Sequence, residues 1–312
     1  MTIISKDISK AVALLTAEDI VAIPTETVYG LAGNIYSEKA IKSIFETKQR
    51  PFFNPLIVHI SCITELPTIV DDIPKKAQLL AEAFWPGPIT LVLKKKNTIP
   101  DLITAGKDTV AVRVPNHPIA LELLKQLPFP LAAPSANPFS SISPTTAEHV
   151  ESYFKDSIKM ILDGGACESG IESTIIGFKN GDAIIYRLGS TSIESIENIV
   201  GKVVLKNKKE IAPDAPGMLE RHYAPKTLTI LSDAVADALK LHPEKRVGII
   251  VFKSGIINDN IVSQIVLSPS GTMEEAASHL YRALHQLDKE KLDIIIAEKF
   301  PDFGLGKSIN DR

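Results

Sequence analysis

The chain has 312 residues, room for about two domains, with 45% hydrophobic and 23% charged residues, as in ordinary globular proteins. Its formal net charge of −3 supplies no bulk polycation for nucleic acid, so any basic site must be local. The two cysteines, Cys62 and Cys167, form no CxxC pair, which argues against a disulfide framework or a thiolate zinc site.

The N-terminal MTIISKDISKAVALL lacks a long apolar core behind a basic start, and no apolar run reaches membrane-spanning length. With cysteines that read as reduced, this predicts a cytoplasmic protein with no membrane partner. Ile8 to Leu15 read as an amphipathic helix and Ile20 to Ile23 as a short buried strand ended by Pro24. Thr25, Glu26, Thr27 and Tyr29 crowd a polar turn before Gly30. A helix follows, with Ala40, Ile41, Ile44 and Phe45 on one face, and breaks before Pro51. Leu56 to Ile60 form the next strand. Thr27, Lys48, Arg50, Asn54 and His59 therefore sit at element ends, where α/β proteins bind ligands. Hydroxyls, two cations, an amide and an imidazole suit a small zwitterion plus a phosphate.

Lys75 to Phe84 read as a helix stopped by the turn sequence Trp85-Pro86-Gly87-Pro88. Ile89 to Leu93 form a strand that runs into Lys94, Lys95 and Lys96, read as a solvated strand end. Thr109 to Val114 form a strand, Pro118 to Leu124 a helix and Leu131 to Ala133 a short strand. The loop PSANPFSSISPTTAEHV ends in a helix start, with Pro144-Thr145-x-x-Glu148 as a capping box. Ser143 then lies just before free N–H groups that favour anions. Strands at Met160 to Leu162, Ser173 to Phe178 and Ala183 to Tyr186 predict a mixed sheet, and Ile193 to Val200 a closing helix. Residues 201–226 read as a linker containing Arg221, His222 and Tyr223, polar chemistry unexpected in a spacer. From 227 to 312, strands at Leu228 to Leu231, Val247 to Val251, Gln264 to Leu267 and Leu292 to Ile296 alternate with helices, as in a small parallel α/β domain.

Several residues have two readings. Lys48 and Arg50 end a helix and would offset its dipole, or would hold phosphate. Arg113 closes an apolar strand and needs a partner, either an internal carboxylate or a substrate's. Arg187 poses the same question. His59 is either a hydrogen-bonded core residue or a ligand contact. Ser135 and Asn137 are turn formers that could also touch a ligand. Gly306-Lys307-Ser308 resembles the end of a P-loop, but position 301 is Pro and little chain remains for the required helix. Ser135 is in no GxSxG elbow.

The order and spacing of certain motifs carry a resemblance across nearly the whole chain. They are Pro24-Thr25-Glu26-Thr27-Val28-Tyr29-Gly30-Leu31, Lys48-x-Arg50 and Asn54-Pro55-Leu56. Phe84-Trp85-Pro86-Gly87-Pro88, Val112-Arg113-Val114-Pro115, Pro134-Ser135-Ala136-Asn137 and Glu172-Ser173-Thr174 follow. Arg221-His222-Tyr223-Ala224-Pro225 and Gly304-Leu305-Gly306 complete the set. The chain resembles the YrdC-like threonylcarbamoyl-AMP synthases in their longer, two-domain form, a family expected to continue slightly beyond Arg312.

The resemblance implies a YrdC-like twisted mixed sheet with helices over 1–200, a linker and candidate lid over 201–226, and a smaller Rossmann-like parallel α/β domain over 227–312. It implies synthesis of L-threonylcarbamoyladenylate from L-threonine, bicarbonate or CO2, and ATP, with pyrophosphate leaving. A tRNA-threonylcarbamoyl transferase would use the product downstream, with no strong direct tRNA binding here. It places Thr27, His59, Arg113, Ala133 and Ser173 on threonine. Lys48, Arg50, Asn54, Thr109, Ser135, Asn137, Ser143, Arg187 and Tyr223 fall on ATP. Mg²⁺ would ride on the ATP phosphates, and no covalent nucleophile is expected. A non-catalytic RNA-binding module is the rival, disfavoured by the net charge. A carbamoyl-transfer maturation factor would carry zinc-finger cysteines, which this chain lacks.

Overall fold

A computed structural model describes residues 1–206 and 223–312. The first part is built on one mixed sheet. Its strands are β1 (Ile3–Ser5), β2 (Val21–Ile23), β3 (Gly30–Asn34), β4 (Ile57–His59), β5 (Ile89–Lys94) and β6 (Thr109–Arg113). β7 (Leu131–Ala132), β8 (Met160–Leu162), β9 (Thr174–Lys179), β10 (Asp182–Arg187) and β11 (Val204–Leu205) complete it. The order across the sheet is β1-β8-β2-β3-β7-β4-β6-β5-β9-β10-β11. Parallel pairs such as β4/β6 and β5/β9 alternate with antiparallel ones such as β5/β6 and β9/β10.

The mixed sheet agrees with the expectation, with local differences. β3 lies where only a turn was expected after Tyr29. It is short and rich in glycine and alanine, so it carries little strand signal. β11 comes from the stretch read as linker, and its two residues pair in parallel with β10. Lys95 is not a solvated strand end: its Nζ meets Asp101 Oδ1 at 2.5 Å and the Ile99 carbonyl at 2.9 Å. The capping box is displaced by one residue. Thr146 caps helix Ala147–Phe154 by accepting from His149 N at 3.3 Å, so Ser143 stands well ahead of the helix N-terminus.

The second part has four parallel strands, β12 (Thr229–Ser232), β13 (Val247–Val251), β14 (Ile261–Val266) and β15 (Ile294–Glu298), in the order β12-β15-β13-β14. Helix Met273–Leu287 packs this sheet against the first part. Tyr281, Leu280 and Leu284 share one apolar cluster with Val28, Ile142 and Ile171. Gly170, at φ +70°, is required there, because a Cβ would stand 2.5 Å from Ser278 Cα. No described helix is long and apolar enough to cross a membrane.

Candidate active site

The site is assembled on one face of the large sheet. His59 and Arg113 are register partners on adjacent parallel strands, so both side chains leave the sheet side by side. A cleft of about 540 Å³, solvent at its mouth included, opens over them. Its lining includes Thr27, Arg50, His59, Arg113, Ala133, Ser135, Ser173, Arg187 and Tyr223, together with Thr25 and Glu172. Nine of the fourteen expected residues thus converge, from segments as far apart as 27 and 223.

The floor of the cleft is polar but tightly organised. Thr25 Oγ1 donates to the Val28 carbonyl at 2.7 Å and accepts from the N–H groups of Thr27 and Val28, both at 3.2 Å. This Thr-based turn aims Thr27 Oγ1 at Arg113, whose Nη1 donates to it at 2.9 Å. Arg113 Nε donates to the Gly87 carbonyl at 3.2 Å, and Nη2 lies 2.6 Å from Glu26 Oε1. That last contact is a buried charge pair without hydrogen-bond alignment: both Glu26 oxygens and Arg113 Nη2 lack a hydrogen-bond partner among the described residues. Arg113 therefore has its internal carboxylate.

Burial, reinforced by the Arg113 charge, pushes the His59 imidazole down to about 3. It is a neutral ring, and its Nδ1 is buried with no hydrogen-bond partner among the described residues. An unpartnered buried nitrogen in a cleft wall is a ready contact for an incoming hydroxyl or amine.

Two further cations line the cleft, Arg50 and Arg187. Helix Glu38–Lys48 ends in a Schellman turn. Gln49, at φ 52°, donates from N to the Glu46 carbonyl, and Arg50 N donates to the Phe45 carbonyl. The turn reverses the chain and sends the Arg50 side chain into the cleft. Its Nε and Nη2 donate to the carbonyls of Asn54 and Pro55. Burial, with Arg187 nearby, pushes Arg50 down to about 9, still protonated at neutral pH. Arg187, at the end of β10, donates twice to the Ser173 carbonyl, once to Ser173 Oγ at 3.1 Å, and to Tyr223 OH at 3.5 Å.

Five expected residues stand outside the cleft lining. Lys48 is fully buried, and its Nζ donates to the carbonyls of Ser135 and Asn137, both at 2.5 Å. Burial beside Arg50 holds its ammonium well below the usual lysine range. Lys48 therefore anchors the Ser135–Asn137 loop from beneath. Asn137 Nδ2 ties the same loop to Pro138 and Ser141. Asn54 is wholly buried, and neither of its side-chain polar atoms has a hydrogen-bond partner among the described residues. Ser143 Oγ donates to Glu172 Oε1 at 2.6 Å. Thr109 shares the sheet face of Arg113 but starts the strand that Arg113 ends, about 13 Å away. It lines a second depression with Lys107, Lys179 and Tyr186.

Two carboxylates escape the sequence reading. Glu26, read as part of a polar turn and of a motif but given no role, is the buried counter-charge of Arg113. Glu172, read as motif, proves to be a buried carboxylate in the cleft wall. Burial alone would raise its pKa, but Arg312, Arg187, Ser143 and Tyr281 together hold it below the usual range. Gly189 makes room for this wall, since a Cβ there would lie 2.4 Å from the Glu172 carbonyl oxygen. The P-loop-like Gly306-Lys307-Ser308 is structural: Ser308 Oγ donates to the Gly189 carbonyl and Lys307 pairs with Glu194 at 3.6 Å. The linker residues Arg221 and His222, and the lid drawn from them, lie outside the described residues.

A family model described as "Telomere recombination" matches residues 13–189, and one described as "Threonylcarbamoyl-AMP synthase, C-terminal domain" matches 191–312. The chain is 40% identical to a threonylcarbamoyl-AMP synthase of Pyrococcus abyssi, over 94% of this chain and 88% of that protein. It is 39% identical to one of Bacillus subtilis, over 98% of this chain and 91% of that protein. A crystal structure of P. abyssi Sua5 complexed with L-threonine superposes with a TM-score of 0.92 at 38% identity, covering 99% of this chain and 96% of that one. On this agreement over both domains, the chain belongs to the threonylcarbamoyl-AMP synthase family in its two-domain form.

Proposed function

We propose that this chain synthesises L-threonylcarbamoyladenylate from L-threonine, bicarbonate or CO2, and ATP, for the threonylcarbamoyladenosine modification of tRNA. The observation that carries the reading is the juxtaposition of two sub-sites in one cleft. Arg113, Thr27, neutral His59 and Ser173 offer a compact polar pocket fit for a hydroxylated zwitterion. Arg50 and Arg187 stand beside it as a pair of buried cations, fit for phosphate.

Threonine's carboxylate would meet Arg113 and its hydroxyl or amine would meet His59 Nδ1. The amine, as the free base, combines with CO2 to give a carbamate and a proton. A carbamate oxygen then attacks the α-phosphorus of ATP and pyrophosphate leaves. The protein's share is positioning and charge stabilisation, since no step needs a covalent nucleophile. Arg50 and Arg187 would hold the phosphates, with Ser135, Asn54 and Tyr223 around the nucleotide. Lys48, Asn137 and Ser143 would serve it indirectly, by fixing that wall. Thr109 would be reached only by the far end of an extended nucleotide.

Magnesium would arrive on the ATP phosphates and neutralise their charge. Among the described residues no cluster of three metal-binding side chains occurs, Glu172 in the cleft lining already has both oxygens engaged, and Glu26 at its floor is paired with Arg113. A downstream tRNA-threonylcarbamoyl transferase would take the product. Pyrophosphate release from ATP tests the reading: it should require both threonine and bicarbonate. Release at the same rate without either would overturn it.

A further inference from the structure

Side chains of the second domain reach the wall of the cleft. The Arg312 side chain is fully buried, and its Nε donates to Glu172 Oε2 at 2.8 Å. Nη2 donates to the Leu188 carbonyl at 2.7 Å and Nη1 meets Asp311 Oδ2 at 3.0 Å. The same guanidinium lies over the Tyr223 ring, 4.8 Å from its centroid. Tyr281, on helix Met273–Leu287, donates from its hydroxyl to Glu172 Oε2 at 2.8 Å, and its ring stands 5.9 Å from that of Tyr223. Two residues of the second domain thus hold two residues of the cleft wall.

Glu172 and Tyr223 are also the neighbours of Arg187. Ser173, next in sequence to Glu172, accepts three hydrogen bonds from Arg187, and Tyr223 OH accepts a fourth. A buried carboxylate needs a cationic partner. Arg312 supplies one from outside the cleft, so the charge of Glu172 is not balanced by Arg187 alone. Without Arg312, Glu172 would draw on Arg187 and cancel charge that the phosphates require.

We propose that Arg312 and Tyr281 are positioning residues for the reaction, acting through Glu172 and Tyr223 to set the geometry and effective charge of Arg187. This rests on the assignment of Arg187 to ATP. The second domain is then a working part of the nucleotide site, not a passenger.

A double-mutant cycle on the full chain tests it. Arg187→Ala alone checks the underlying assignment and should lower kcat/KM for ATP. Arg312→Ala should lower kcat/KM for ATP by about tenfold or more in the wild-type background, as for loss of one charge-assisted hydrogen bond, with a smaller effect on KM for threonine. In the Arg187→Ala background the same substitution should have little further effect, because residues acting through one group are non-additive. Tyr281→Phe, which removes only the hydroxyl, should show the same pattern more weakly and serves if Arg312→Ala does not fold. Equal losses in both backgrounds would make the contact merely structural and overturn the proposal, as would full activity of Arg312→Ala and Tyr281→Phe. Unchanged activity of Arg187→Ala would instead reject the assignment on which the cycle stands, and the coupling with it.

Discussion

Glu26 and Arg113 form a charge pair, 2.6 Å apart and about 95% removed from solvent on both sides, at the floor of the cleft. Removing one member of a buried pair strands the other. Glu26→Gln should therefore destabilise the protein by about 3–5 kcal/mol. Urea unfolding of the ligand-free protein measures this directly. A change below about 0.5 kcal/mol, the size of an ordinary surface substitution, would mean that the pair is not the counter-charge of Arg113.

The division of the cleft predicts two separable defects. Arg113→Ala should mainly weaken threonine binding and Arg50→Ala mainly ATP binding. Each loses a charge-assisted hydrogen bond, roughly 1.5–3 kcal/mol or one to two orders of magnitude in affinity. Calorimetric titration of each variant with each ligand reads the split, and the opposite pairing would refute it.

Three buried histidines predict an acid limb in stability. Burial pushes His59 and His149 down to about 3 and His285 to about 4. His149 and His285 stack across the domain contact with ring centroids 3.9 Å apart, facing Arg282, Asp288 and Lys289. Unfolded, each takes its proton near pH 6.5. Because the folded values are depressed, their contribution is complete above about 6.5 and is lost as pH falls towards 4 and then 3. The melting temperature should fall through that window. The fall should be shallower in the double variant His149→Phe/His285→Phe, which takes up two fewer protons on unfolding. Parallel curves would contradict the assignment.

Much of this was legible in the sequence, for identifiable reasons. Helix Lys75–Phe84 is legible from the turn sequence that stops it, Trp85-Pro86-Gly87-Pro88. The cleft residues Thr27, Arg50, His59 and Arg113 were visible because polar groups interrupt apolar strands or stand at element ends. β3 was not legible, because Gly30-Leu31-Ala32-Gly33-Asn34 lacks β-branched residues and is held by its neighbours in the sheet. Lys48 was visible as a cation, but its partners are carbonyls 87 and 89 residues away. The roles of Arg312 and Tyr281 leave no local trace, since their shared partner Glu172 is 140 and 109 residues distant.

One cleft should join a threonine carbamate to the adenylyl group of ATP. Incubation with threonine labelled in its carbon skeleton, ATP labelled at the α-phosphate, and bicarbonate tests it most directly. One product carrying both labels should appear, should depend on bicarbonate, and should be strongly reduced in both Arg50→Ala and Arg113→Ala. Labelled AMP without any doubly labelled, threonine-dependent species, even when the product is trapped rapidly, would mean that the cleft does not join the two substrates.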